Sequence, residues 1–154
     1  MTPSMTDYGY NSRLPDPRYD RAIYEDVPAK RLLAWFVDIA VIAFLVGFLV
    51  IMSALTALLF LPLVVASVSF LYRWMTLAGG SATWGMRVMS IELRDAEGEK
   101  FDSSTAFKHT LGYTLSVMTF PLQLVSITMM ALGARGQGVT DTVLGTVAVN
   151  RTVT

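Results

Sequence analysis

The chain has 154 residues, 53% of them hydrophobic and 16% charged. Soluble domains carry about 25% charged residues, so this deficit excludes an ordinary water-soluble domain and points to a membrane chain with small polar parts. Twelve basic residues cancel twelve acidic ones, which leaves no global charge for nucleic acid. With no cysteine there is no disulfide framework, Cys-ligated metal site or thiol nucleophile.

Residues 1–28 are expected to form a flexible, solvated arm. They are rich in Tyr, Pro, Asp and Arg (Tyr8, Tyr10, Pro15, Pro17, Tyr19, Tyr24) and have no apolar period. A docking arm for a partner is the sharper alternative. The arm has no apolar h-region, so it does not read as a signal peptide, and the first span is expected to stay as an anchor.

From Leu32 to Tyr72 the only charged residue is Asp38. A run of about 40 residues is roughly twice what one helix needs to cross ~30 Å of hydrocarbon. As a single helix it would reach ~60 Å, so it is predicted to fold into two spans. The polar break Ser53-Ala54-Leu55-Thr56 places a tight turn there, with helices at about 30–52 and 56–76. Pro62 then lies one to two turns inside the second helix as a kink site. The stretch from 77 to 104 reads as a polar loop with strands. Ala78 to Gly85 form a loop with Trp84 at interface depth. Arg87 to Arg94 alternate apolar and polar, the period of a half-buried strand. The acidic cluster Glu92, Asp95, Glu97, Glu99 and Asp102 lacks calcium-loop spacing and reads as a solvated turn, with a return strand starting at Lys100-Phe101.

The third apolar segment, about 105–133, is divided by Pro121. Each half is too short to cross alone, so the segment is either one kinked span or a re-entrant V. Two observations favour the V. It puts all twelve basic residues on the cytoplasmic side, as the positive-inside rule prefers. It also lets a C-terminal strand at 145–151 pair with the strand at 87–94. The predicted fold class is therefore an all-α membrane protein, a two-helix transmembrane hairpin plus a Pro-broken third segment, with a small cytoplasmic β-hairpin or strand element.

Asp38 is the first candidate for function, because a carboxylate within a span costs about 2.5–3.5 kcal/mol on insertion scales. Arg31 lies nearly two turns earlier on the same helix face, at a separation of about 10 Å along the axis that stretches a direct ion pair. Ala40, Ala43 and Gly47 lie on the opposite face, which is expected to pack on helix two. Asp141 is the third candidate, with helix capping as its plainer role. Lys108, His109 and Arg135 are secondary candidates. His109 is either an ordinary histidine at the interface or a proton exchanger near Asp141, since its unperturbed pKa of about 6.5 suits neutral pH. One histidine makes no metal site, and no catalytic signature is present. No enzyme activity, metal or cofactor is expected.

These residues resemble the RDD family of bacterial membrane proteins, named for an Arg and two Asp. The matching pieces are Arg31-x-x-Ala34-x-x-x-Asp38, Gly79-Gly80-x-x-Thr83-x-Gly85-x-Arg87, and Arg135-x-Gln137-x-x-x-Asp141-x-x-x-Gly145-Thr146-Val147. They cover about residues 29–151. Thr83-Trp84-Gly85-Met86-Arg87 stands where members commonly read a Pro-Gly-Lys type sequence, and Lys108-His109 where an Arg is common. The resemblance implies a bacterial membrane protein, expected in the inner membrane, and the spans and basic residues lead to the expectation of a multi-pass topology with a cytoplasmic N-terminus. It has no single settled activity to pass on, and cation/proton antiport has been suggested for some members.

Two functions follow as expectations. One is an oligomeric transporter, for cation/proton exchange or a small ligand, using Asp38 with Arg31 and Asp141. The other is an accessory or assembly subunit of a larger membrane complex, in which these charges are structural. The expected partners are the lipid bilayer and further copies of the chain or that larger complex. The ligand itself is not specified by the sequence.

Overall fold

The structure is a computed structural model that describes residues 14–151. Residues 1–13, which include most of the predicted arm with Tyr8 and Tyr10, lie outside the described residues. The rest of that segment is tied down at a few buried side chains, while most of it is exposed. After the short helix α1 (Arg21–Tyr24), Tyr24 and Leu14 are buried against Val147 and Val149. The Tyr24 hydroxyl donates to the Pro15 carbonyl at 2.7 Å.

Helix α2 (Val27–Met52) starts with Pro28 in its first turn, where a missing N–H costs nothing. It ends at Ser53, and Ala54 and Leu55 follow in the left-handed region with φ 50° and 67°. Two such residues in succession reverse the chain where the polar break predicted the turn. The return differs from the prediction. Thr56–Phe60 form a 3-10 helix and α3 runs Leu61–Gly80. Pro62 therefore occupies the first turn of α3 and kinks nothing. α2 and α3 are both long and apolar enough to cross a membrane. Their outer surfaces expose Phe44, Phe48 and Leu63, and the turn between them exposes Leu59, side chains that water would not tolerate in such density. The Ala40/Ala43/Gly47 face is not packed on α3: Ala40 and Ala43 are exposed, and nothing lies within 4 Å of a Cβ built at Gly47. The two helices meet instead on the Asp38 side.

The predicted loop from Ala78 is helical to Gly80. It is closed by Ser81 in the left-handed conformation, whose N–H returns to the Leu77 carbonyl at 2.8 Å. Thr83 then caps α4 (Trp84–Val88), accepting from the Met86 N–H at 3.2 Å. The apolar alternation from Arg87 becomes a strand only at β1 (Ile91–Arg94), because Ser90 at φ 56° interrupts the extended run. The acidic cluster is turn and cap chemistry. Asp95 accepts from the Glu97 and Glu99 N–H groups, Asp102 caps the next helix, and Glu92 pairs with Arg94 and Arg151. Lys100 and Phe101 form no strand.

The third segment is broken as Pro121 implied. α5 (Ser103–Met118) and α6 (Phe120–Leu132) are bent by 115° at Thr119, with Pro121 in the first turn of α6. Ser116 donates to Gln123 across the bend at 2.9 Å. A last short helix, α7 (Val139–Leu144), leads to β2 (Val147–Asn150). β2 pairs antiparallel with β1 in the expected region, Ile91 opposite Asn150 and Arg94 opposite Val147. The α5–α6 wedge thus leaves from, and returns to, one small sheet. The core lies at this end of the molecule: Val27, Leu77, Met86, Ile91, Leu93 and Phe101 pack together, with Ala34 and Ala148. It ties the open ends of the α2–α3 hairpin to the sheet.

Candidate intramembrane site

The two predicted acids hold different parts of the fold. Asp38 is 2% exposed, and both of its oxygens are occupied. Oδ1 accepts from the Tyr72 hydroxyl at 2.7 Å and the Gly85 N–H at 2.8 Å, and Oδ2 accepts from the Thr83 hydroxyl at 2.6 Å. Each hydroxyl works twice. Tyr72 also accepts from the Trp84 N–H at 3.2 Å, and Thr83 also caps α4. One carboxylate in α2 therefore fixes the end of α3 and the start of α4. Buried hydrogen bonds to a charged acceptor contribute roughly 1.5–3 kcal/mol each, and three of them offset much of the cost of burial.

The second cluster joins three of the candidates. Arg31 donates from Nη1 to Asp141 Oδ2 at 2.6 Å and to the Gly136 carbonyl at 3.2 Å. His109 Nε2 lies 2.8 Å from Asp141 Oδ1. The Thr146 hydroxyl and the Gly138 N–H complete the acid's shell at 3.0 and 3.1 Å. Asp141 lies in the first turn of α7, where its carboxylate accepts from the N–H of the capping residue Gly138 and also binds the charge network. Arg31 and Asp38 are not paired, as their spacing on one helix implied. Lys108 is exposed on α5 and stands outside the cluster. Arg135 lines a separate surface groove with Asp16, Arg18 and Thr142.

Burial alone would raise the Asp141 carboxyl, but the Arg31 guanidinium, the His109 Nε2–H and the Gly138 N–H outweigh it and hold the acid well below the usual carboxylate range. A depressed folded pKa stabilises the fold above the unfolded value of about 3.9, and that stability is lost as pH falls through the folded value. Thermal unfolding in detergent is therefore expected to lose stability steeply below about pH 4, with a shallower acid limb in Asp141→Asn. An equally steep limb in that variant contradicts the assignment.

Asp38→Asn is expected to lower stability by about 1–3 kcal/mol. An asparagine turns its NH2 group toward a donor and leaves one buried polar group unpaired. The melting temperature of the purified variant checks this, and an unchanged value contradicts it.

Both clusters open on one cavity of about 500 Å3 between α2, α3 and the α5–α6 wedge. Arg31, Asp38, Arg73, His109, Tyr113 and Asp141 stand among its lining residues. Tyr72, Arg73, Thr83 and Gly85 were not among the sequence candidates. A signal for Tyr72 was present. Counting equal steps outward from the turn at Ala54-Leu55 puts Asp38 opposite residues 71–72, so a hairpin folded there offers Asp38 a hydroxyl.

The RDD family profile matches residues 27–145, a span that contains Arg31, Asp38 and Asp141. No curated protein and no solved structure matches the chain.

Proposed function

We propose, for a chain that belongs to the RDD family, that it is a small-ligand-binding protein of the bacterial inner membrane. In this proposal Arg31, Asp38 and Asp141 hold the fold around the cavity, the cavity receives the ligand, and the protein carries out no catalysis. The supporting observation is that the oxygens of both acids already have protein donors, three bonds on Asp38 and four on Asp141. A cation carried by Asp38 would have to displace the Tyr72, Thr83 and Gly85 donors and loosen α3 from α4. That disfavours the exchange reading and favours a structural one, in which buried charges specify one packing.

For orientation we propose that the N-terminus and the sheet face the cytoplasm. Lys30, Arg31, Arg87, Arg94, Lys100 and Arg151 belong to the sheet end, and the turn at 53–60 has no basic residue. The α5–α6 wedge then re-enters from that side. The Ala40/Ala43/Gly47 face, with Ala40 and Ala43 exposed and Gly47 half-buried, suits close approach by another helix, from a second copy or a larger complex. Gentle detergent extraction distinguishes these: a homo-oligomer favours the first, one stoichiometric large partner the second.

The test is ion flux in proteoliposomes. The parent protein is expected to move no protons in response to sodium or potassium gradients beyond empty vesicles. A cation-dependent proton flux by the parent protein above that of empty vesicles overturns the proposal.

A further inference from the structure

Arg73 is the buried charge that the two clusters do not use. It lies two turns inside α3, is 7% exposed, and rests with its guanidinium carbon 3.7 Å from the centre of the Tyr113 ring. Tyr113 is held in place by a 3.1 Å hydrogen bond from Trp35. Among the described residues no carboxylate lies within ion-pair distance of Arg73, and its Nε has no hydrogen-bond partner. The other buried charges are accounted for. Asp38 faces its three donors, Asp141 faces Arg31 and His109, and Glu92 faces Arg94 and Arg151. A stacked arginine gains from the ring, but stacking leaves its N–H fork without an acceptor, and an unpaired charge in a span is costly. His109 Nδ1, on the same cavity, is also buried without a partner.

The wedge side of the wall is mostly apolar, and its polar members Ser116, Gln123 and Ser126 are hydrogen-bonded within the chain. Leu32, Val117, Ile127, Met130 and Ala131 line the cavity beside Arg73. Its 500 Å3 falls within the range of small-molecule sites, roughly 300–1,000 Å3. We propose that the cavity takes a membrane amphiphile with an anionic oxygen head, phosphate or carboxylate, the head on the Arg73 guanidinium and the tail along the α5–α6 wall. Arginine's planar fork matches such a head in two-point contact. Arg31 is committed through Nη1 to Asp141 and the Gly136 carbonyl, which leaves Arg73 as the buried cation without an anionic partner among the described residues. This proposal rests on the reading of the cavity as the ligand site, and it adds the chemical class of the ligand.

Native mass spectrometry of the full chain from a neutral detergent tests it, with dioleoyl phosphatidylglycerol, dioleoyl phosphatidylcholine and inorganic phosphate as probes. One phosphatidylglycerol per protomer is expected to bind at least tenfold more tightly than phosphatidylcholine. Arg73→Met is expected to remove that preference, Arg73→Lys to keep most of it, and the exposed-site control Lys108→Met to leave it unchanged. Equal saturable binding of both lipids, or a preference that survives Arg73→Met, overturns the head assignment while leaving the ligand cavity standing. Displacement of phosphatidylglycerol by inorganic phosphate overturns the amphiphile. No saturable lipid at all overturns the cavity reading itself. If Arg73→Met does not give a monodisperse protein, the comparison of the two lipids on the parent chain decides.

Discussion

Gly85→Ala is expected to abolish most folded protein. A Cβ at Gly85 would sit 2.1 Å from the Ala34 carbonyl oxygen and 2.8 Å from Asp38 Oδ1. Neither atom can move freely, because one is the backbone of α2 and the other belongs to a carboxylate whose two oxygens are held by three donors. α2 and α4 would have to part by about 1 Å, well beyond what close-packed interiors absorb without cost. Separation stretches the Gly85 and Thr83 bonds to Asp38 together. Overpacking costs about 1–3 kcal/mol, and a buried acceptor stripped of donors costs about 1–3 kcal/mol more. That is a large share of a typical total of 5–15 kcal/mol. Gel filtration after detergent extraction is the readout. Ala34→Gly in the same chain is not expected to rescue it, since the clash is with the carbonyl and not with the Ala34 methyl. A stable, monodisperse Gly85→Ala protein contradicts the close approach of α4 to α2.

Arg31→Met is the second large effect. It leaves Asp141, 1% exposed, ionised next to His109 without its cation. Breaking one side of a buried pair costs about 3–5 kcal/mol. The remaining donors, Thr146 and Gly138, place this variant near the lower end, a fall in melting temperature of about 5–10 °C for a chain of this size. Adding Asp141→Asn removes the stranded charge and keeps an acceptor for the cap, so the double variant is expected to be more stable than Arg31→Met alone. Arg31→Lys is expected to recover only part of the loss, because an ammonium is more strongly hydrated than a guanidinium and costs more to bury beside Asp141. If the three variants melt with the parent, Arg31 is not holding α7 to α2.

Some of this was legible in the residues and some was not, for physical reasons. The length of the apolar run and the Ser53–Thr56 break dictated a hairpin, because the bilayer thickness admits no other solution. Pro121 dictated the break in the third segment, and the strand-like residues at the end of 87–94 and within 145–151 pair to close it, although Arg87 to Ser90 are helix and turn. The position of Pro62 was misjudged because Ala54 and Leu55 adopt left-handed backbone without glycine, and a 3-10 turn absorbs the residues that a helix was expected to use. α4 was missed because its five residues carry no period, and only the Thr83 cap and the approach of Gly85 to Ala34 make it helical. Arg31, Asp38, His109 and Asp141 could be named from sequence, but their partition into two clusters could not. That partition depends on α3 and α4 reaching Asp38 before the wedge does, a matter of tertiary packing. Arg73 was invisible for a related reason: at the edge of an apolar run an arginine reads as an interface anchor, and only the closure of α5 over it makes it buried.

Arg31 and Asp141 meet only if the α5–α6 wedge returns to the side it left. The chain has no native cysteine, so single cysteines report sidedness cleanly. Glu97 lies in the turn before α5, Val143 on α7 after the wedge, and Thr56 in the α2–α3 turn, all three exposed. With an impermeant thiol reagent on sealed vesicles of known orientation, Glu97→Cys and Val143→Cys are expected to label from one side and Thr56→Cys from the other. Labelling of Val143→Cys together with Thr56→Cys contradicts the re-entrant wedge and the charge network built on it.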